Sequence, residues 1–185
     1  VQLLNTTEAP SLVVGGDMLQ GRTEQQVAYA VARELSMLRS EHYLYKLFQA
    51  ASQLRVVFFA SLKRVAPHVP VPAGDASAVD QFIQQYIGQA LHEGAEEYLT
   101  ERVKYIMQSG LDAFDLKRWM NGVELTSSRA AFIVCNDLAT AQSMVQAEPA
   151  SPNGLTGQKK LSELLTYSIS DEYFEVRRTL GLVIT

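Results

Sequence analysis

The spacing of apolar positions along the 185 residues changes character once, near residue 23. Ahead of that point stand two short runs, VQLLNT (1–6) and SLVVGG (11–16), separated by TEAP, the second closing on a Gly-Gly pair. Runs of this length and composition, bounded by turn-forming residues, predict two paired strands. From Thr23 onward the apolar residues follow a helical period. Thr23 is placed to cap a helix, and Gln26, three residues on, completes a capping box. Val27, Val31, Leu35 and Leu38 then recur at spacings of four, four and three, which predicts one buried stripe over a helix at 23–38.

A second helix is expected from Leu44, Leu47, Phe48, Ala51, Leu54, Phe58, Leu62 and Val65, ending at APHVPVPAG (66–74), because proline lacks the donor and disfavours helical geometry before it. A third, long helix follows a cap at Ser77, with Asp80 in its first turn, and runs to Ser109 and Gly110. A fourth is expected over about 115–146, and AEPASPNGLTG (147–157) after it reads as a mobile loop from its Pro, Gly, Ser and Asn content. The tail fits two short helices split near Ser170. The predicted class is therefore mostly α: a bundle of about five to six helices with a small N-terminal β element, in one domain spanning 1–185. A strand-like start without Met suggests a fragment of a longer chain.

Composition narrows the function. Sixteen basic residues against 20 acidic ones, a net charge of −4, provide no extended positive surface for phosphates. Nucleic acid is excluded as the expected partner. The richest apolar run, VVFFASL (56–62), lies between Arg55 and Lys63, far too short for a transmembrane segment. The single cysteine, Cys135, sits in the apolar setting AAFIVCNDLATA and reads as an inert buried thiol. Trp119, Phe58, Phe59, Tyr86 and Phe132 read as core. Localisation stays open, with the cytoplasm favoured.

The stretch with candidate chemistry is VAYAVARELSMLRSEHY (27–43). In peptidases of the His-Glu-x-x-His type, two histidines four residues apart hold zinc and the glutamate activates its water. Here Arg33 stands in the first ligand place, Glu34 keeps the place of the base, and Met37 stands in the second ligand place. Arginine stays charged and repels a cation, and a thioether is a poor zinc ligand. The order of features around this stretch resembles the HtpX-like HExxH zinc metallopeptidases. PSLVVGGDML is similar to that family's edge strand, TEQQVAYAVARELSML to its metal-binding helix, and ELTSSRAAF to the E-x-x-A-D-R-x-G pattern of its third ligand. The match places Glu124 at the ligand position and Ser128 where the family has Asp, followed by Arg129 and Ala130. LRSEHY (38–43) and SDEYFEVRRTLG also resemble uncharacterised domains that follow tetratricopeptide repeats in large bacterial proteins.

That resemblance implies a zincin-like helix arrangement with the metal site lost: a catalytically inactive domain with no metal or cofactor, acting as a protein-interaction or scaffolding module toward a protein or peptide partner. Arg33, Glu34, Met37, Glu124 and Ser128 are then vestigial positions. Two alternatives stay open. One is an active hydrolase with a rearranged metal site drawing on Glu34, Glu124, His42 or His92; the other is a helical domain with no peptidase-related function. His68 lies in the proline loop, and His92 with Glu96 is a two-ligand fragment at best, better explained as a polar helix surface. The resemblance also predicts that Arg33 meets Glu124 across two helices, a guanidinium standing in for the metal. The competing expectation is that Arg33 reaches solvent while Glu124 pairs with Arg129 or Lys117.

Overall fold

The computed structural model describes residues 1–5, 10–48, 50–87, 93–111 and 114–182. It is mostly α with a small N-terminal β element. Strands β1 (Gln2–Asn5) and β2 (Pro10–Val13) pair antiparallel, Leu3 opposite Leu12. Ten α-helices follow among the described residues: α1 (Gly16–Leu19), α2 (Glu24–Leu35), α3 (Ser40–Leu47), α4 (Ala51–Val65), α5 (Ala76–Phe82), α6 (Glu93–Ser109), α7 (Leu116–Cys135), α8 (Leu138–Ala147), α9 (Gly157–Ser168) and α10 (Asp171–Thr179).

The count exceeds the expected five to six because local chemistry interrupts apolar runs that periodicity alone reads as continuous. The expected helix over 115–146 breaks after Cys135, where Asn136 takes a left-handed φ of 53° and the Asp137 carboxylate accepts from the Thr140 amide at 2.6 Å to start α8. Asparagine tolerates that conformation better than most residues. The expected helix from Leu44 to Val65 is divided into α3 and α4, the latter opened by the Ala50 amide donating to Gln53. The long third helix begins as α5 and passes into a π-helical turn at Ile83–Ile87. Its last part, α6, ends at Ser109 before Gly110, whose φ is 84°. His92 lies outside the described residues.

Two terminus signals appear where expected. Thr23 and Gln26 exchange their two capping hydrogen bonds, both 3.2 Å, and Ser170 accepts from the Tyr173 amide to begin α10. The expected stripe on α2 is corrected. Leu35 and Leu38 are exposed, and the buried side chains are Tyr29, Ala32 and Met37. The inward face of α2 is thus the one that carries Arg33, bounded by an aromatic and a small residue.

The chain divides into two compact units, residues 1–47 with 120–185 and residues 48–119. In the first, α2 and α9 both pack on α8, around Tyr29, Ala131, Phe132, Cys135, Ala141, Val145, Leu164 and Tyr167. Phe132 stacks on Tyr173 with ring centroids 4.9 Å apart, and Tyr167 meets Tyr173 edge-on, contacts that contribute beyond burial alone. Residues 147–157, expected to be mobile from composition, bury Asn153 and Leu155 in this unit. In the second unit α4 packs on α5, the π turn and α6, with Ala60, Leu62, Val69, Val79 and Val103 at its centre. Phe58 and Phe59 contact each other edge-on there. Tyr86, expected in the core, is exposed. No described helix is long and apolar enough to cross a membrane.

Candidate functional site: a closed cluster of four charges

Glu124 occupies the middle of α7, on its buried face with Met120, Val123, Ser127, Ser128 and Ala131. A carboxylate there loses several kcal/mol of hydration unless other groups replace water. Three neutral or cationic donors do so. Lys160 from α9 meets Oε2, Tyr45 from α3 donates its hydroxyl to Oε1, and Ser151 donates to Oε1 at 2.8 Å. Arg33 from α2 adds its Nη2 at 3.4 Å from Oε2. The cross-helix pair predicted from the resemblance is present, and the competing partner Arg129 pairs instead with Glu163 on α9.

The cluster has a second carboxylate. Glu148, directly after α8, lies with Oε1 2.8 Å from Arg33 Nε and with Oε2 3.3 Å from Arg33 Nη2 and 2.9 Å from Lys160 Nζ. Each cation therefore touches both carboxylates, and each carboxylate touches both cations. Signs alternate around the group and its net charge is zero. Lys160 is the most enclosed member, with its side chain 3% exposed against 6% for Glu124. At such separations one favourable pair amounts to about 4 kcal/mol at the effective dielectric of a protein surface, and four such contacts, less the repulsion between the two cations and between the two carboxylates, oppose the cost of desolvation.

Burial pushes the Glu124 carboxyl up, but Lys160, Tyr45 and Ser151 outweigh it and hold the group below the usual carboxylate range. Burial opposes the charge on Arg33, while Glu148 and then Glu124 raise its affinity for the proton. The phenol of Tyr45 is pushed up by burial and by Glu124, and that of Tyr29 by burial and by Glu148. Both are held as neutral phenols. Ser127 and Ser128 turn back to the Glu124 carbonyl, at 2.9 and 3.1 Å, so Ser128 supports its own helix and does not reach the cluster as a ligand.

The remaining sequence candidates stand apart from Glu124. Glu34, which the resemblance aligns with a general base, pairs with Lys46 at 2.6 Å. Met37 is buried in a 3-10 turn at Ser36–Leu38, where the chain has left α-helical geometry, so positions 33 and 37 no longer repeat on one α-helical face. His42 is buried, and its Nδ1 donates to the Ser36 carbonyl at 2.9 Å; an oxygen acceptor there fixes the proton on Nδ1. Glu96 pairs with Arg64 at 2.9 Å within the second unit. Cys135 is a buried thiol that burial pushes up, away from thiolate.

These donors do not fit a zinc ion held in the peptidase manner. The two positions that the resemblance aligns with zinc ligands carry Arg33 and Met37, and the oxygens of Glu124 already accept from Lys160, Tyr45, Ser151 and Arg33. Among the described residues no group of three or more His, Cys, Asp and Glu side chains converges on a point. The second unit has a recess of about 590 Å³ lined by Phe48, Gln53, Val56, Phe82 and Tyr86, whose lining includes no carboxylate, imidazole or amine.

Sequence reasoning missed Glu148, Lys160, Tyr45 and Ser151. One signal was available for Lys160: with Leu164 and Tyr167 it falls at spacings of four and three on the buried face of α9, a place where a lone lysine requires an internal partner. Glu148 is the one acidic residue in AEPASPNGLTG. Comparison with family models, with curated proteins and with solved structures finds no match.

Proposed function

We propose that the chain is a catalytically inactive, metallopeptidase-like domain in which an ion-pair cluster has replaced the metal, retained as a protein-interaction or scaffolding module. The observation that carries this reading is the meeting of Arg33 and Glu124, the positions where the resembled peptidases share zinc, now bridged through a guanidinium with Lys160 beside it. In this reading α2 and α7 keep a zincin-like relation, and the fixed positive charge does the packing work of the divalent cation. The carboxylate that would activate water, Glu34, is bound to Lys46 and has no metal-held nucleophile to act on. An interaction role draws support from the end of α2 through α3, where Leu35, Leu38, Leu44 and Leu47 leave 39–53% of their surface open, an apolar concentration of the kind that protein partners cover. A partner of tetratricopeptide-repeat architecture in the same polypeptide fits the second resemblance.

The test is metal content and turnover on one preparation. Purified protein, dialysed against zinc, is expected to retain none stoichiometrically, and a disordered substrate such as casein is expected to stay intact with and without chelator. A tight one-to-one zinc site, or cleavage abolished by chelator, overturns the proposal.

A further inference from the structure

We propose that Arg33 and Lys160 form a carboxylate-binding site that the chain fills with its own Glu148, and that this contact latches residues 148–156 as a strap over Glu124. The inference depends on the geometry of the four charges alone, and so stands or falls independently of any peptidase relationship.

The receptor half is preformed. Arg33 is fixed in α2 and Lys160 in α9, and each is also held by Glu124, which Tyr45 from α3 positions independently of the strap. Together they present the Nε and Nη2 edge of a guanidinium and one ammonium to a single carboxylate, at 2.8, 3.3 and 2.9 Å. Nη2 donates to one carboxylate oxygen, Nε stands beside the other as a charge contact without a hydrogen bond, and the ammonium adds charge without further directional demand.

The ligand half comes from irregular chain. Glu148 stands at the C-terminal end of α8, and the residues after it lie between two helices without helical or strand bonding of their own. Pro149 and Pro152 have no amide hydrogen to give. The segment is fastened by side chains: Ser151 to Glu124, Asn153 and Leu155 by burial, and Glu148 to the receptor. One turn closes it, the Gly154 amide donating to the Ser151 carbonyl at 2.9 Å with Gly154 at φ 79°. Loss of Glu148 removes the only charged fastener the segment itself contributes, yet leaves the receptor with Glu124 as its remaining counter-charge. The site then holds one uncompensated positive charge in a space shaped for a carboxylate, and formate or acetate is small enough to enter it.

Glu148→Ala, with formate or acetate as the probe, tests this. A broad-specificity protease is applied, and cuts are located by mass spectrometry. In chloride, cleavage within 148–156 is expected to be about tenfold faster than in the parent protein, the change that ~1.4 kcal/mol of lost latching produces when cleavage follows the open population. Acetate at the same ionic strength is expected to restore protection saturably and to raise the melting temperature, with no such effect on the parent. The double variant Arg33→Met with Glu148→Ala is expected to show no acetate rescue. If Glu148→Ala fails to fold, Glu148→Gln, which keeps the shape and removes the charge, is read by cleavage alone, since its amide fills the space acetate would enter: faster cleavage within 148–156 supports the latch, and cleavage equal to the parent overturns it. Equal action of acetate and chloride, or a strap in the variant as protected as in the parent, overturns the proposal.

Discussion

Each unit of this protein buries a carboxylate, and the two do so differently. In the second unit Asp75 is buried at the head of α5, held by Arg55 through a two-point fork, Nε to Oδ2 at 2.6 Å and Nη2 to Oδ1 at 3.0 Å. Arg55 itself remains 49% exposed along its side chain. One charge is taken from water while its partner keeps hydration. In the first unit Glu124 is held by Lys160, whose side chain is enclosed, and by Arg33, which is largely covered, and Glu148 balances the second cation. A half-open pair is self-sufficient. A closed cluster must be neutral as a whole, because each charge added for the sake of another brings its own desolvation.

The comparison predicts unequal responses to losing one cation. Lys160→Ala leaves Glu124 and Glu148 in an enclosed space with Arg33 alone, and the expected loss of stability in the first unit is about 3–5 kcal/mol, the range for an uncompensated buried charge. Urea unfolding checks it. Adding Glu124→Gln to Lys160→Ala is expected to cost less than the sum of the two single changes, since both remove parts of one network. Strict additivity would mean that the four charges do not act together.

The same contrast marks how far the site could be read from the chain. Helix starts at Thr23 and Ser170, the β pairing, and the stop at Gly110 are set by neighbours within a few residues, and sequence shows them directly. The Arg33–Glu124 pair was legible only through the resemblance, since 91 residues separate its members. The rest of the cluster was not. Tyr45, Glu148, Ser151 and Lys160 come from three further places in the chain, and periodicity does not say which helices bring them to one point. The α2 stripe was misread for a related reason. Arg33 counts as polar in any pattern, so the leucines appeared to define the inner face, whereas in the folded unit the cluster draws the arginine's face inward and leaves Leu35 and Leu38 outside. The break at Asn136 has a local signal, an Asn-Asp pair suited to ending one helix and capping the next, which the apolar period on either side concealed.

Acid sharpens the comparison with a smaller effect. The folded state holds the Glu124 carboxyl below its usual range, so it binds a proton there less readily than the unfolded chain does. Its contribution to stability is therefore complete above pH ~4.5 and is lost as pH falls through the lowered folded value. Thermal melts from pH 7 downward are expected to show the parent protein losing stability on this acid limb, with the limb flattened in Lys160→Met, whose Glu124 lacks the strongest group holding the proton off. The effect is expected to be smaller than that of Lys160→Ala, because a protonated carboxyl still accepts hydrogen bonds from Tyr45 and Ser151. An acid limb of equal slope in both proteins would move its origin away from Glu124.

The smallest expected effect belongs to the open pair. Arg55→Lys in the second unit keeps the positive charge but replaces the two-point fork with a single ammonium, which cannot satisfy both oxygens of Asp75 in the geometry now present. Because Arg55 is about half exposed, water takes over the oxygen that is released, and the cost is expected to be at most about 1 kcal/mol. The measure is urea unfolding in low and high salt. The parent and Arg55→Lys are expected to converge as salt screens the exposed cation, while Lys160→Ala keeps its deficit, since screening ions do not reach an enclosed group. A large, salt-independent loss in Arg55→Lys would mean that Asp75 depends on its partner as Glu124 does, and the distinction between a half-open pair and a closed cluster would then fail as an account of how this protein buries charge.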